Sequence, residues 1–237
     1  MISFVIPAWN EARRLPGTLE AIHAAAGTLG GHHEVVVVDD ASTDSTAAVA
    51  RAHGARVVAV AHRQIAATRN AGARQALGQR LFFIDADTWV RPGTVQAAMR
   101  AMDAGAVGGG ARVVLADDAP AHARRLQRLA SPVFQWAGIA GGAFLFCTRA
   151  AYEATGGFDE ARDAGEDLAF ARALRRHGRF VVLPEQVVTS GRKLHAHGVL
   201  RHAQLFARYG LLGRRNARGA EKEFWYGSGR GDSDRRN

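Results

Sequence analysis

Three short acidic stretches hold the residues best suited to chemistry. In Phe83-Ile84-Asp85-Ala86-Asp87 an apolar run ends in two carboxylates one residue apart. On an extended backbone such residues point the same way, so Asp85 and Asp87 can share one hard cation that also ligates a diphosphate. Val37-Val38-Asp39-Asp40-Ala41-Ser42-Thr43-Asp44 has a similar form. Here Asp39 could accept hydrogen bonds from a base or a ribose, and Thr43 or Asp44 could cap the helix that follows. The third stretch is Gly165-Glu166-Asp167-Leu168 at a helix start, where acidic residues also complement the helix dipole. Each stretch taken alone would serve as a turn or a cap. Their positions along the chain give them more weight.

The first half of the chain alternates strand and helix patterns. The apolar run Ile2–Ile6 leads to a helical stretch over about Leu15–Ala26, with Pro16 in its first turn. Val35–Val38 reads as a strand covered on both faces, as in a parallel sheet. A helix over Ser45–His53 stopped by Gly54, a strand over Arg56–Val60, a helix reaching Leu77, a strand over Leu81–Ile84 and a helix over Pro92–Asp103 complete the alternation. This spacing predicts an α/β layered domain, and in such sheets ligands bind beyond the carboxyl ends of the strands. Pro7–Glu11, Asp39-Asp40 and Asp85–Asp87 all fall at such ends. The second half is less regular. It predicts strands over Gly108–Val114, Gly142–Cys147 and Phe180–Leu183, and helices over Pro120–Gln135, Glu166–His177 and His197–Leu212.

Composition excludes several classes. With 237 residues, 47% hydrophobic, the chain can bury a sizeable core and is not disordered as a whole. One cysteine, Cys147, excludes a disulfide framework and a Cys-rich zinc site, and fits a reducing, cytoplasmic setting. The start Met1–Ile6 has no basic segment and meets Pro7 too early for a secretory signal. Leu129–Thr148 is uncharged and long enough to span a membrane, but Pro132, Gly138, Gly141 and Gly142 break it, so buried core or substrate lining is expected. Of the net charge of +9, most lies beyond residue 190, where Gly191–Asn237 carry 11 Lys and Arg against 4 Asp and Glu. That segment could meet phosphate, an anionic membrane or nucleic acid, or be a solvated tail. The 199–212 stretch could lie on a membrane surface or pack on the body, and packing is the more economical reading.

Five motifs in order resemble the family-2 glycosyltransferases with the GT-A fold. They are Ile6-Pro7-Ala8-Trp9-Asn10-Glu11 with the Asp39-Asp40 and Asp85-Ala86-Asp87 stretches, Arg69-Asn70-Ala71-Gly72, Gly141–Phe146, Gly156-Gly157-Phe158-Asp159-Glu160, and Gly165–Leu168. The resemblance runs from about Ile2 to Ser190. It implies a GT-A-type single domain, α/β, with a mostly parallel central sheet flanked by helices and a Rossmann-like nucleotide-binding first half. The domain would cover residues 1–226, with a nucleotide-sugar half to about 105, an acceptor-side half to 226, and a disordered tail over 227–237.

The resemblance also implies roles. Pro7, Ala8, Asn10 and Glu11 would shape the nucleotide pocket, Asp39 would contact the base, and Arg63 or Arg69 would approach the nucleotide. Asp85, Ala86 and Asp87 would lie on the donor, with Asp87 and Asp85 holding Mn²⁺ or Mg²⁺ and His195 or His197 as candidates to complete the metal shell. Asp167 would be the general base, with Glu166 beside it facing the acceptor. The donor would be a UDP- or GDP-linked sugar, the acceptor a hydroxyl that could be lipid-linked, and the outcome inversion. One departure is Ala41, where a glycine is commoner in the family. Two other readings remain. A nucleotidyltransferase would want a Gly-rich phosphate loop, and Pro7–Leu15 has Arg13 and Arg14 but no glycine. A non-catalytic module would use the basic C-terminus on nucleic acid or membrane, and no nucleic-acid motif supports it.

Overall fold

Val35 to Val38 are all buried, as are Phe4 to Ile6 and Leu81 to Ile84, so the strands they form must be covered on both faces. A computed structural model, which describes residues 1–125, 142–162 and 165–191, has that arrangement. The first half runs β1 (Ile2–Ala8), α1 (Leu15–Gly27), β2 (His33–Asp40), α2 (Thr46–Ala52), β3 (Arg56–Val60), α3 (Ile65–Gln75) and β4 (Arg80–Ile84). The second runs β5 (Thr88–Trp89), α4 (Pro92–Asp103), β6 (Gly108–Leu115), β7 (Phe144–Thr148), α5 (Arg149–Thr155), α6 (Glu166–His177) and β8 (Phe180–Thr189).

All eight strands join one sheet in the order β3-β2-β1-β4-β7-β6-β8-β5. The β3-β2-β1-β4 block is parallel throughout. β7 enters antiparallel to both β4 and β6, while β6 and β8 are again parallel. The two-residue period of the strands divides their side chains between two cores. Phe4, Ile6, Val37, Phe82 and Phe146 pack against Leu19 and Ile22 of α1 and Val95 and Met102 of α4. Val5, Val36, Phe83 and Leu145 face the other way, onto Ala66 and Ala73 of α3, Tyr152 of α5 and Phe170 and Leu174 of α6. Helices therefore cover both faces of a mostly parallel sheet.

Several boundaries differ from the sequence expectation. β8 does not stop at Leu183 but continues to Thr189. The register against β6 shifts between Ala111 and Arg112, where Leu183 and Gln186 are the successive partners. Pro184 and Glu185 are thus accommodated in a bulge, the place where a residue without an N–H can sit within a sheet. α3 ends at Gln75 rather than Leu77, because Ala76 is extended and the Leu77 N–H turns to Glu34 Oε1 at 2.5 Å. α5 was not anticipated. Thr148 caps it by accepting from the Ala151 N–H, and Gly156 ends it in the left-handed conformation. Of the expected 120–135 helix, residues 121–125 are helical and the remainder lies outside the described residues. The expected 197–212 helix and the tail from Gly227 also lie outside them. Among the described residues no helix is long and apolar enough to cross a membrane.

Candidate active site

The carboxyl ends of β1 and β2 are adjacent, with Ala8 in register with Asp39. The loops that follow are tied together by side chain to backbone hydrogen bonds. Asn10 adopts φ 52, and its Oδ1 accepts from the Thr43 N–H at 2.8 Å. The Asn10 N–H donates to Ser42 Oγ and the Glu11 N–H to Thr46 Oγ1, at 2.9 and 2.8 Å. Asp44 accepts from the Thr46 N–H at 2.9 Å and from the Ala12 N–H at 3.2 Å, so it joins the two loops at the start of α2. Ala41 is held at φ 56, a left-handed position that glycine occupies without steric cost.

Asp39 and Asp40 do different things although they are neighbours. Asp40 accepts from the N–H groups of His62, Arg63 and Gln64 and from Thr68 Oγ1, at 2.7 to 3.3 Å, fixing the entry to α3. That entry carries the Arg63 guanidinium to 4.5 Å above the Trp9 ring. Asp39 is on the opposite face of the strand, and its Oδ1 is buried with no hydrogen-bond partner among the described residues. A buried acceptor left unmade costs about 1–3 kcal/mol. Asp39 thus presents an acceptor that a ligand's N–H or O–H would satisfy.

The end of β4 meets the first turn of α6 across one buried arginine. Arg69 of α3, 2% exposed, donates from Nη2 to Asp85 Oδ1 at 2.9 Å and to the Gly142 carbonyl at 3.1 Å. Its Nη1 donates to Glu166 Oε1 at 2.8 Å. Three carboxylates, those of Asp85, Glu166 and Asp167, act on this guanidinium, and although burial opposes its charge, their attraction raises its pKa above the ordinary value. Burial pushes the Glu166 carboxyl up to about 7, with the nearby Asp167 charge adding to the effect and Arg69 opposing it. Asp167 is also raised, chiefly by burial, against the pull of Arg69. Its side chain rests on Gly142, where an added Cβ would lie 2.5 Å from Oδ2 and 3.1 Å from the Asp167 Cβ. Only glycine leaves that space.

Ala86 is buried, and its carbonyl accepts from Thr18 Oγ1 at 2.9 Å. Asp87, 3% exposed, adjoins the end of β8, since its carbonyl accepts from the Ser190 N–H at 3.1 Å. Asp118 fastens the same place, accepting from Ser190 Oγ at 2.5 Å and from the Gly191 N–H at 2.7 Å. Asn70 links α3 to the 156–160 loop. Its Nδ2 donates to the Phe158 carbonyl and to Glu160, and its Oδ1 accepts from the Phe158 N–H and Tyr152 Oη.

The structure thus unites Arg69, Asp85, Glu166 and Asp167, and places Pro7, Ala8, Asn10, Glu11, Asp39 and Arg63 along the neighbouring strand ends and loops. His195 and His197 lie outside the described residues. Sequence reasoning did not single out Asp40, Asn70 or Asp118 as organising groups. The pairing of Asp39 with Asp40 carried a signal for the first, because alternation along a strand forces two adjacent acids onto opposite faces.

A parallel strand block with laced loops at its carboxyl ends, joined to an acidic cluster where β4 meets a later helix, is the arrangement of the GT-A glycosyltransferase fold. Residues 3–154 match Glycosyl transferase family 2, and the chain belongs to that family. It is 37% identical over 99 residues to a dolichyl-phosphate beta-glucosyltransferase of Drosophila melanogaster, covering 36% of this chain and 30% of the relative. It is 32% identical over 116 residues to an undecaprenyl-phosphate 4-deoxy-4-formamido-L-arabinose transferase of Klebsiella pneumoniae, covering 44% of this chain and 34% of the relative. The matches therefore span only about a third of these relatives' own lengths. In fold, the chain superimposes on a mannosyltransferase of Pyrobaculum calidifontis, solved with GDP-Man and Mn²⁺, with TM-score 0.70 and 21% identity, over 94% of this chain and 66% of that one.

Proposed function

We propose that this chain transfers a sugar from a nucleoside-diphosphate donor to an acceptor hydroxyl in one displacement with inversion. The observation that carries the reading is the Asp85–Arg69–Glu166 bridge, which fixes the acidic end of β4 against the helix turn bearing Asp167. Domain limits of 1–226, with halves meeting near residue 105, are part of the same proposal.

Asp39 would take hydrogen bonds from the base, and Arg63, stacked on Trp9, would border the nucleotide. Asp85 and Asp87 fit a divalent cation such as Mn²⁺ or Mg²⁺ in one respect that can be checked against their chemistry. Hard carboxylate oxygens are the donor type such an ion takes, and a cation held by two carboxylates draws its other oxygens from substrate phosphates and water. Such an ion supplies neutralisation of the charge that develops on the departing diphosphate. Asp167 would accept the proton of the attacking hydroxyl at its carboxylate, while Glu166, locked to Arg69, holds the turn in place.

The relatives named for dolichyl phosphate and undecaprenyl phosphate favour a lipid-linked acceptor and contact with a membrane surface. They also raise a second reading, in which the nucleophile is a phosphate oxygen and needs no base. Calorimetry with UDP, GDP and their sugar conjugates, each with Mn²⁺ and with EDTA, tests the donor site, and metal-dependent binding of one base is expected. Asp167→Asn should leave that binding intact and lower transfer by about 10²–10⁴, the range for a lost general base. Retained turnover would remove Asp167 as base and favour the phosphate acceptor.

A further inference from the structure

A cavity of about 490 Å³ lies on the far side of α6 from Asp167. The helix contributes Ala169, Arg172, Ala173 and Arg176, a stripe spaced three and four residues apart and about half a turn away from Asp167. The opposite wall is the loop after α5, with Phe158, Asp159 and Arg162. Among the described lining residues, three guanidinium groups stand against one carboxylate.

Arg162 is the fixed member. Its Nε donates to Asp159 Oδ2 at 3.0 Å, its carbonyl accepts from Gln64 Nε2 at 3.0 Å, and its side chain is 12% exposed. Its Nη1 is buried with no acceptor among the described residues. A largely desolvated guanidinium with one carboxylate for a partner keeps an attraction for a further anion. Arg172 and Arg176 are one helical turn apart, so their like charges face the same space at some cost. The negative end of the α6 dipole accounts for the basic residues of its last turn, Arg175 to His177, but not for Arg162, which is on a loop. Planar guanidinium forks on two walls match the oxygens of a phosphate group.

We infer that this cavity is an anion site for a phosphate-bearing ligand, separate from the donor diphosphate site. Its volume suits a small phosphorylated molecule or a headgroup. The loop that forms one wall is also the loop pinned to α3 by Asn70 and Gln64, so a ligand here would bear on the helix that carries Arg69.

The test is calorimetric titration of the whole chain with inorganic phosphate and with glycerol 3-phosphate, in metal-free buffer. It is run on the natural sequence, on the double variant Arg172→Gln/Arg176→Gln and on Asp85→Asn/Asp87→Asn. Both helix arginines are exposed, so the first variant should keep its fold, and an unchanged melting temperature checks this. The expected result is binding that weakens at least tenfold in the arginine variant and persists in the aspartate variant. A second arm measures flotation with phosphatidylcholine vesicles containing phosphatidic acid. Loss of flotation in the arginine variant, with no response to soluble phosphates, assigns the anion to a lipid headgroup. Loss of soluble binding alone assigns it to a free metabolite. Equal behaviour of the natural chain and the arginine variant in both arms overturns the proposal, as does the absence of binding in both.

Discussion

The strand ends of β1 and β2 and the junction of β4 with α6 are both rich in carboxylates, and they are held in different ways. At the first, Asp40 is surrounded by three backbone N–H groups and a hydroxyl, and the adjoining loops are laced by Asn10, Ser42 and Asp44. At the second, one buried guanidinium joins Asp85 to Glu166. Hydrogen bonds to backbone fix a shape that changes little with conditions. A buried ion bridge fixes a shape and a protonation state together, so the geometry of the acceptor side is tied to charge. The β1–β2 region, the proposed donor side, should behave as a rigid mould and the β4–α6 junction, the proposed acceptor side, as a titrating one.

Arg69→Met is the largest challenge to that distinction. It leaves Asp85 and Glu166 buried without their cation and should cost about 3–5 kcal/mol in denaturant unfolding above neutral pH. The loss should shrink at pH 5, where the orphaned acids take up protons. Asp40→Asn on the β2 side keeps the shape but replaces one of two acceptor oxygens, each taking two hydrogen bonds, by an NH2 group facing donors, and should cost about 1–3 kcal/mol. If the Asp40→Asn loss shrinks with falling pH as much as that of Arg69→Met, the two regions do not differ in kind.

Gly142→Ala comes next. The new methyl would displace Asp167, whose Oδ2 and Cβ occupy its space. An overpacked contact costs about 1–3 kcal/mol. The effect on turnover should exceed the effect on stability, because the side chain that must move is the proposed base. A drop in kcat of about tenfold or more with unchanged donor binding is expected, and steady-state kinetics with donor calorimetry checks it.

Much of the donor side was legible in the sequence because its evidence is local. Valine runs, the acids that end them and the caps after them all fall within about ten residues, and the resulting strands match the structure closely. The acceptor side depends on partners far apart in the chain. Arg69 and Glu166 are separated by 97 positions and Asn70 and Phe158 by 88, so Arg69-Asn70 could be seen as a motif without revealing what either side chain holds. Gly142 could be read as a glycine, but the reason for it lies on α6. The apolar run Phe180–Leu183 marks only the first part of β8, and the bulge that admits Pro184 and lets the strand continue is a property of its pairing with β6. The short α5 carries its signals, Thr148 before it and Gly156 after it, but its seven residues leave too little periodicity to read between a strand and a glycine motif.

The pH dependence of stability sharpens the same contrast. The Glu166 carboxyl is raised to about 7 from an ordinary 4.5, so between these values the folded chain holds a proton that the unfolded chain releases. Its contribution is fully present below pH 4.5 and is lost as pH rises through 7, a change on the order of 3 kcal/mol. Glu166→Gln should flatten this part of the stability curve. Asp167, raised in the same direction, must lose its proton to act as base, so the rate should climb with pH while stability falls. Parallel curves of rate and stability would contradict the placement of the base in this cluster.

The smallest effect tests the mould itself. Ala41 sits at φ 56 between Asp40, which sets the entry to α3, and Ser42, whose hydroxyl accepts from Asn10. A side chain in the left-handed region costs about 1–2 kcal/mol, which glycine avoids, although glycine's freer unfolded chain returns part of the gain. Ala41→Gly should therefore raise stability by at most about 1 kcal/mol, a shift of a few degrees in melting temperature. Donor affinity should hardly change, because the hydrogen bonds that position Asn10 and Thr43 do not involve the Ala41 side chain. A clear fall in donor affinity would mean that Ala41 stiffens the turn and that the loops beside Asp39 are less rigid than their hydrogen bonds imply. A stability gain without loss of affinity would place the strain of this turn outside its function, in contrast to the strain of Glu166, which cannot be removed without altering the site.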